Sequence, residues 1–211
     1  MEGAEDGIVA IGGDLSPERL LAAYKSGIFP WYSKEEPIVW HSPEQRFILF
    51  LDKLHVSKSM KRVLNSTKFT VTLDCNFSFV INQCASVNRK GQDGTWIINE
   101  MIEAYINLHH LGYAHSVEVW QDGKIVGGVY GVSLGKCFFA ESMFHTATNA
   151  SKIALIKLVE FLKQNDFHFL DAQVFTAHVA TMGAMEIPRK KFIQLLNNGL
   201  QSPDKVGKWK W

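Results

Sequence analysis

The amino-acid sequence predicts an α+β fold in which a mixed, mostly antiparallel sheet carries helices and is preceded by a small N-terminal unit. Three observations lead there. Between Ala114 and Phe144 apolar and polar residues alternate with period two, interrupted at Asp122-Gly123 and Gly135-Lys136, which are hairpin-turn pairs. One long amphipathic helix follows, and after it a further strand in "HFLDAQVF". Upstream, Pro30, Pro37 and Pro43 lie among Phe29, Trp31 and Trp40, a stretch too rich in proline for a sheet interior and too aromatic for a free linker.

From the N-terminus, "LSPERLLAAYKSG" reads as a helix. Ser16 stands at the N-cap, Pro17 sits where its missing N–H costs nothing, Leu15 staples onto Leu20, and Gly27 ends the helix. The proline-rich aromatic stretch must then lie against something. Residues 1–45 are therefore expected as a small N-terminal domain docked on a larger one, residues 46–211, with the boundary near "SPEQRF". In "SKSMKRVLNS" a short helix turns Met60, Val63 and Leu64 one way and Lys58, Lys61 and Arg62 another. "FTVTLD" alternates as a strand, and Asn76 caps a helix carrying Phe77, Val80, Ile81 and Cys84. "VNRKGQDG" is a polar loop. Asn99 opens a helix with Met101, Ile102, Tyr105 and Leu108 inward, stopped at Gly112. After the meander, Asn149 caps "ASKIALIKLVEFLKQ", whose stripe is Ala154, Leu155, Leu158 and Leu162, and Pro188 starts a last helix through Leu196.

With 211 residues, 46% of them hydrophobic, the chain can bury one sizeable core. No apolar run reaches the ~18 residues of a membrane span, and the start "MEGAEDGIVAIGGDLS" is acidic and glycine-rich rather than a signal peptide, so a cytoplasmic protein is expected. Cys75, Cys84 and Cys137 form no C-x-x-C pair and are read as buried thiols. A formal charge of +1 excludes a blanket polycation and confines any nucleic-acid contact to a local patch. The eight histidines include no H-x-x-x-H or H-E-x-x-H pair, so no metal site is expected.

Chemistry has to be sought where polar groups interrupt the strands. "FFAESMF" sets Glu141 among apolar side chains, where an unpaired charge costs several kcal/mol, so the residue either faces water or lines a pocket that wants a charge. In "FLDAQVF", Asp171 and Gln173 are two apart and so share a strand face, where they either hold an amine or face solvent. Ser142 lacks the glycines of a nucleophile elbow. A meander, a long helix and a further strand follow the order of an acetyltransferase-like (GNAT-type) domain, whose strands splay apart to hold an acyl donor. The turn that would hold a coenzyme A pyrophosphate is "FHTATNAS", without glycine, so another donor is expected.

The blocks "GGDLSPERLLAAYKSGIFPWY", "HSPEQR", "SKSMKR", "GTWI", "LHHLGYAHSVEVW", "VGGVYG", "AESMF", "NASKIAL", "DAQV" and "GAMEIPRKKF" occur in this order. Over the span from Gly7 to Phe192 they resemble the leucyl/phenylalanyl-tRNA–protein transferase family, bacterial enzymes that add leucine or phenylalanine to a protein N-terminus. The resemblance implies leucyl-tRNA or phenylalanyl-tRNA as donor, acceptor proteins with N-terminal Arg or Lys that are thereby marked for degradation, and a cytoplasmic monomer needing no metal or coenzyme. It implies an apolar pocket for the leucyl or phenylalanyl side chain at Trp31, Trp96, Phe138, Met143 and Leu170. Val129 stands close to it in place of the family's usual methionine, as Ala140 does in place of a glycine. Glu141 is implied in the aminoacyl site, Asp171 and Gln173 as the catalytic pair, and Lys58, Lys61 and Arg62 on a tRNA-contact helix. Asn65 and Ser66 stand where basic residues are common in that helix, so tRNA affinity is expected either to be weaker or to lean on Lys68 and Lys90. Two other readings of the chain are an N-acyltransferase of the same fold with another donor and a noncatalytic tRNA-binding module.

Overall fold

The computed structural model describes residues 7–87 and 96–211. The polar loop expected around Lys90 lies outside the described residues, apart from its first residue, Val87. The elements run β1 (Ile8–Ile11), α1 (Pro17–Lys25), β2 (Phe29–Pro30), β3 (Val39–His41), β4 (Gln45–Phe50), α2 (Lys58–Leu64), β5 (Thr70–Leu73) and α3 (Phe77–Ser86). After the loop come α4 (Asn99–His110), β6 (Ala114–Gln121), β7 (Lys124–Leu134), β8 (Cys137–His145), α5 (Ala150–Gln164), β9 (Phe169–Asp171), α6 (Ala177–Ala180), β10 (Met185–Pro188) and α7 (Arg189–Gly199).

The strands form a three-stranded sheet in the order β1-β3-β2 and a seven-stranded sheet in the order β10-β4-β9-β8-β7-β6-β5. The proline-rich stretch is thus partly regular. Pro30 fits because β2 is an edge strand, where a missing N–H interrupts no ladder. In the large sheet every pairing is antiparallel except β8 with β9, the pair joined through α5. The β6–β7 turn has left-handed residues at both Asp122 (φ 52°) and Gly123 (φ 73°), as a tight hairpin requires.

Alternate residues of the strands enter two apolar clusters, one on each face of the large sheet. On one face Ile48, Tyr130, Val132, Phe139 and Phe169 meet α1, α3, α4 and α7 through Tyr24, Phe77, Tyr105 and Phe192. On the other, Phe47, Leu49, Val117, Val129, Phe138 and Leu170 meet α5 through Leu155, Leu158 and Leu162. Because side chains of α1 and β2 belong to the first cluster, the N-terminal segment shares a core with the large sheet.

Two expected caps differ in detail. Asn149 does precede α5 but takes a left-handed φ of 71° and makes no capping hydrogen bond from its side chain, and Ala150 N–H donates to Ala147 instead. Before α1 it is Asp14 that accepts from Ser16 N–H, while the Ser16 side chain makes no cap bond.

Candidate active site

The ladder between β8 and β9 is short. It joins Cys137, Phe138 and Phe139 to Phe169, Leu170 and Asp171 and then ends. Beyond Asp171 the chain stays with β4, through Ala172 N–H to Phe47 O (2.9 Å) and Phe47 N–H to Gln173 O (3.1 Å). Strand β8 meanwhile runs on to His145 along β7. The two strands therefore diverge, and the polar groups picked out by sequence sit at the fork.

Glu141 occupies a β-bulge. Ala140 pairs with Gly131 and Ser142 with Tyr130, so Glu141 is the extra residue between two rungs. A bulge re-aims a side chain, and here it sends the carboxylate into the aromatic cluster on the α1/α4 face. There Oε1 accepts from Tyr24 Oη (2.7 Å) and from Gln173 Nε2 (2.7 Å), and Oε2 accepts from Tyr105 Oη (3.1 Å). The two phenol hydroxyls also hydrogen-bond each other. Burial pushes the Glu141 carboxyl up from the ordinary 4.5 to about 7, although its three donors pull the other way. The same burial, reinforced by the Glu141 charge, holds both phenols well above their usual range. Tyr24 and Tyr105 are core positions of amphipathic helices, and their role here is visible in sequence only as a demand that a buried phenol find a partner.

Asp171 is fully buried and both its oxygens are engaged. Arg46 Nε donates to them at 2.9 and 3.0 Å and Nη2 at 2.7 Å, while Gln173 N–H donates to Oδ1 at 2.8 Å. The guanidinium, itself 1% exposed, lies between the rings of Phe29 (4.7 Å) and Phe192 (4.5 Å) and gives its Nη1 proton to Gly27 O at 3.2 Å. Gly27 has to be glycine there: its φ is 74°, and a Cβ would stand 2.7 Å from Ile193. A buried carboxylate and guanidinium in which both oxygens and all three nitrogens are hydrogen-bonded escape most of the penalty of unpaired charge.

The sequence reading of Asp171 and Gln173 as neighbours on one strand face needs correcting. The strand ends at Asp171, and Gln173 is 6% exposed with a left-handed φ of 64°. What couples the two is the backbone bond from Gln173 N–H to the Asp171 carboxylate. A glutamine at positive φ is uncommon, and its persistence here marks a residue held by its surroundings. The solvent-facing alternative is excluded for both residues, as it is for Glu141 at 8% exposure.

The implied pocket residues fall into two groups. Val129, Phe138 and Leu170 are buried, Met143 is half-buried, and all four lie on the α5 face. Phe138 pairs with Leu170 next to the end of the parallel ladder, and Val129 pairs with Met143 on the diverging part of β8. Trp31 and Trp96 are half-buried and pack against the opposite cluster, the one that holds Tyr24 and Tyr105. The structure thus brings the four aliphatic and aromatic side chains together and leaves the two tryptophans on the Glu141 side. Lys58, Lys61 and Arg62 are exposed on α2, and none makes an ion pair among the described residues. A groove beside them is lined by Arg62, Ser66, Lys68, Thr148 and Asn149, so it runs from the basic helix to the start of α5.

Comparison with known proteins is specific. The family model described as "Leucyl/phenylalanyl-tRNA protein transferase" matches residues 48–197, and the model of that family's N-terminal domain matches residues 13–44. A leucyl/phenylalanyl-tRNA–protein transferase from Syntrophus aciditrophicus is 56% identical over 97% of this chain and 86% of its own length. One from Desulfatibacillum aliphaticivorans is 52% identical over 97% of this chain and 88% of its own. A solved structure of a functionally unknown conserved protein from Staphylococcus epidermidis aligns more loosely, with TM-score 0.47 and 9% identity over 86% of this chain and 68% of that one. The two family models and the curated relatives define an aminoacyltransferase. The chain belongs to the leucyl/phenylalanyl-tRNA–protein transferase family.

Proposed function

We propose that this chain transfers leucine or phenylalanine from aminoacyl-tRNA to the N-terminal α-amine of acceptor proteins that begin with Arg or Lys, marking them for degradation. It does so in the cytoplasm, as a monomer, with no metal or coenzyme. The observation that carries the reading is the hydrogen bond from Gln173 to Glu141 across the fork between β8 and β9. The family membership supports the donor and the reaction type.

In the reaction the acceptor amine attacks the ester carbonyl, a C–N bond forms, the ester C–O bond breaks, and the proton lost by nitrogen ends on the ribose oxygen. An α-amine of pKa about 7.7–8.0 is partly neutral near pH 7, so no strong base is needed to start. Gln173 is suited to orient it. A carboxylate accepts only, so ionised Glu141 fixes which end of the amide faces it, namely Nε2, and turns Oε1 toward the incoming N–H. Asp171 holds the backbone of Gln173 and is itself neutralised by Arg46, so it acts as a positioning residue. Glu141, pushed up to about 7 by burial, is matched to relay a proton near neutral pH.

The apolar group on the α5 face receives the leucyl or phenylalanyl side chain. Trp31 and Trp96, half-exposed aromatic faces on the Glu141 side, offer stacking surfaces to the terminal nucleotide, worth about 1–3 kcal/mol per stacked base. Lys58, Lys61 and Arg62, with Lys68 across the groove, meet tRNA phosphates. The test is incubation with radiolabelled leucyl-tRNA and a peptide starting with Arg. Label in the peptide supports the reading. Transfer only from acyl-coenzyme A, or RNA retention without transfer, refutes it.

A further inference from the structure

Residues 201–211 contain no helix or strand, yet they are anchored at three places. Asp204 Oδ1 accepts from Gly135 N–H in the β7–β8 turn at 2.7 Å. Gly207 N–H donates to Gly112 O at the end of α4 at 3.1 Å. Trp209 N–H donates to Asp74 Oδ2, in the turn after β5, at 2.7 Å. Ordering such a strap costs about 1–2 kcal/mol of backbone entropy per residue, so the contacts it ends on have to outweigh that.

Those contacts converge on one indole. Trp209 is 2% exposed, stacks flat on His115 (centroids 3.7 Å apart, planes at 7°), and packs on Phe161 at 4.7 Å. His115 is held in turn by Asp74 at 2.8 Å, the same carboxylate that takes the Trp209 N–H. The indole also packs on Phe138, at 5.7 Å and 43°. Trp209 and the backbone of Gly131 on the neighbouring β7, where an added Cβ would stand only 2.7 and 2.8 Å from ring atoms of Phe138, together confine that ring.

We infer that the C-terminal strap sets the size of the acyl pocket: Trp209 is a positioning residue that confines the Phe138 ring beside the fork and so fixes the preference between leucyl and phenylalanyl donors. The inference rests on the reading of Phe138 as pocket wall. Phe138 is paired with Leu170 at the rung just before the strands part, so a ring free to move into the space that Trp209 fills leaves more room there for a donor side chain. Trp209 lies on the α5 face, opposite the Glu141 carboxylate held by Tyr24 and Tyr105.

The test compares kcat and KM for leucyl-tRNA and phenylalanyl-tRNA in Trp209→Leu, Trp209→Phe and Phe138→Leu. Differences of a methylene or two in such pockets are worth roughly 10–200-fold, so a second-hand displacement should move the leucyl-to-phenylalanyl ratio of kcat/KM by about 5-fold or more. The expected result is a ratio shifted toward phenylalanyl in Trp209→Leu, mainly through KM and with kcat within about two-fold, a smaller shift in Trp209→Phe, and a shift in Phe138→Leu. A general loss of stability would lower both donors alike. A wild-type ratio in Trp209→Leu beside a shifted ratio in Phe138→Leu overturns the role of the strap and leaves the pocket reading standing. A wild-type ratio in Phe138→Leu removes the pocket reading and this inference with it. Should Trp209→Leu not fold, Trp209→Phe carries the same comparison, and an unchanged ratio there overturns the inference.

Discussion

Replacing Glu141 by Gln keeps the shape of the side chain and removes a charge that the fold pays to bury. The folded carboxyl sits at about 7 against an ordinary 4.5. Between those values the folded chain holds a proton that the unfolded chain has released, so stability falls as pH rises through that window and then levels off. At about 1.4 kcal/mol per pH unit, the rise corresponds to roughly 3 kcal/mol lost above pH 7. In the variant the amide oxygen still accepts from Tyr24 and Gln173, and its NH2 group donates to Tyr105. Chemical denaturation at pH 8 should therefore show Glu141→Gln more stable than the wild type by about 1–3 kcal/mol, and at pH 5, where wild-type Glu141 is mostly protonated when folded, the gain should shrink toward zero. Transfer should fall in the same protein, because an amide cannot take up and pass on the proton assigned to Glu141. A stability difference independent of pH, or a less stable variant at pH 8, would refute the account of Glu141 as a buried, reluctantly ionised group.

Arg46→Met strands Asp171 and should cost about 3–5 kcal/mol in urea denaturation, while Arg46→Met combined with Asp171→Leu should recover most of it; a double variant no better than the single one counts against the pairing. Gln173→Gly keeps the left-handed backbone without strain, so its stability should stay within about 1 kcal/mol of wild type while single-turnover transfer drops by about 10²-fold. Unchanged turnover would remove Gln173 from the reaction. Alanine at Lys58, Lys61 or Arg62 should each flatten the log–log salt dependence of tRNA binding by about 0.7–0.9, and a slope equal to wild type would take α2 out of the phosphate contacts.

Much of this architecture was legible. The Asp122-Gly123 and Gly135-Lys136 pairs locate the hairpins because few residues other than glycine, asparagine and aspartate accept positive φ, and the stripe Ala154, Leu155, Leu158 and Leu162 locates α5. Strand β4 was harder, because "QRFILF" is buried on both faces and shows no alternation, and β10 was hidden by ending on a proline at the sheet edge. At the fork, Glu141 stood out as a charge in an apolar run, but the bulge that aims it depends on a two-for-one register with β7 that no local pattern encodes. Arg46 was invisible as a partner. Its neighbours Asp171, Phe29 and Phe192 are scattered along the chain, and only the fold assembles them.

The knot around Arg46 has a bearing on how the molecule can be cut. Gly27 and Phe29 clasp the guanidinium and Tyr24 clasps Glu141, so residues contributed ahead of position 46 complete the reaction centre. A fragment starting there would keep Gln173, yet present it on a naked carboxylate and a half-wrapped cation. The leading segment is then less an appendage than one jaw of the vice.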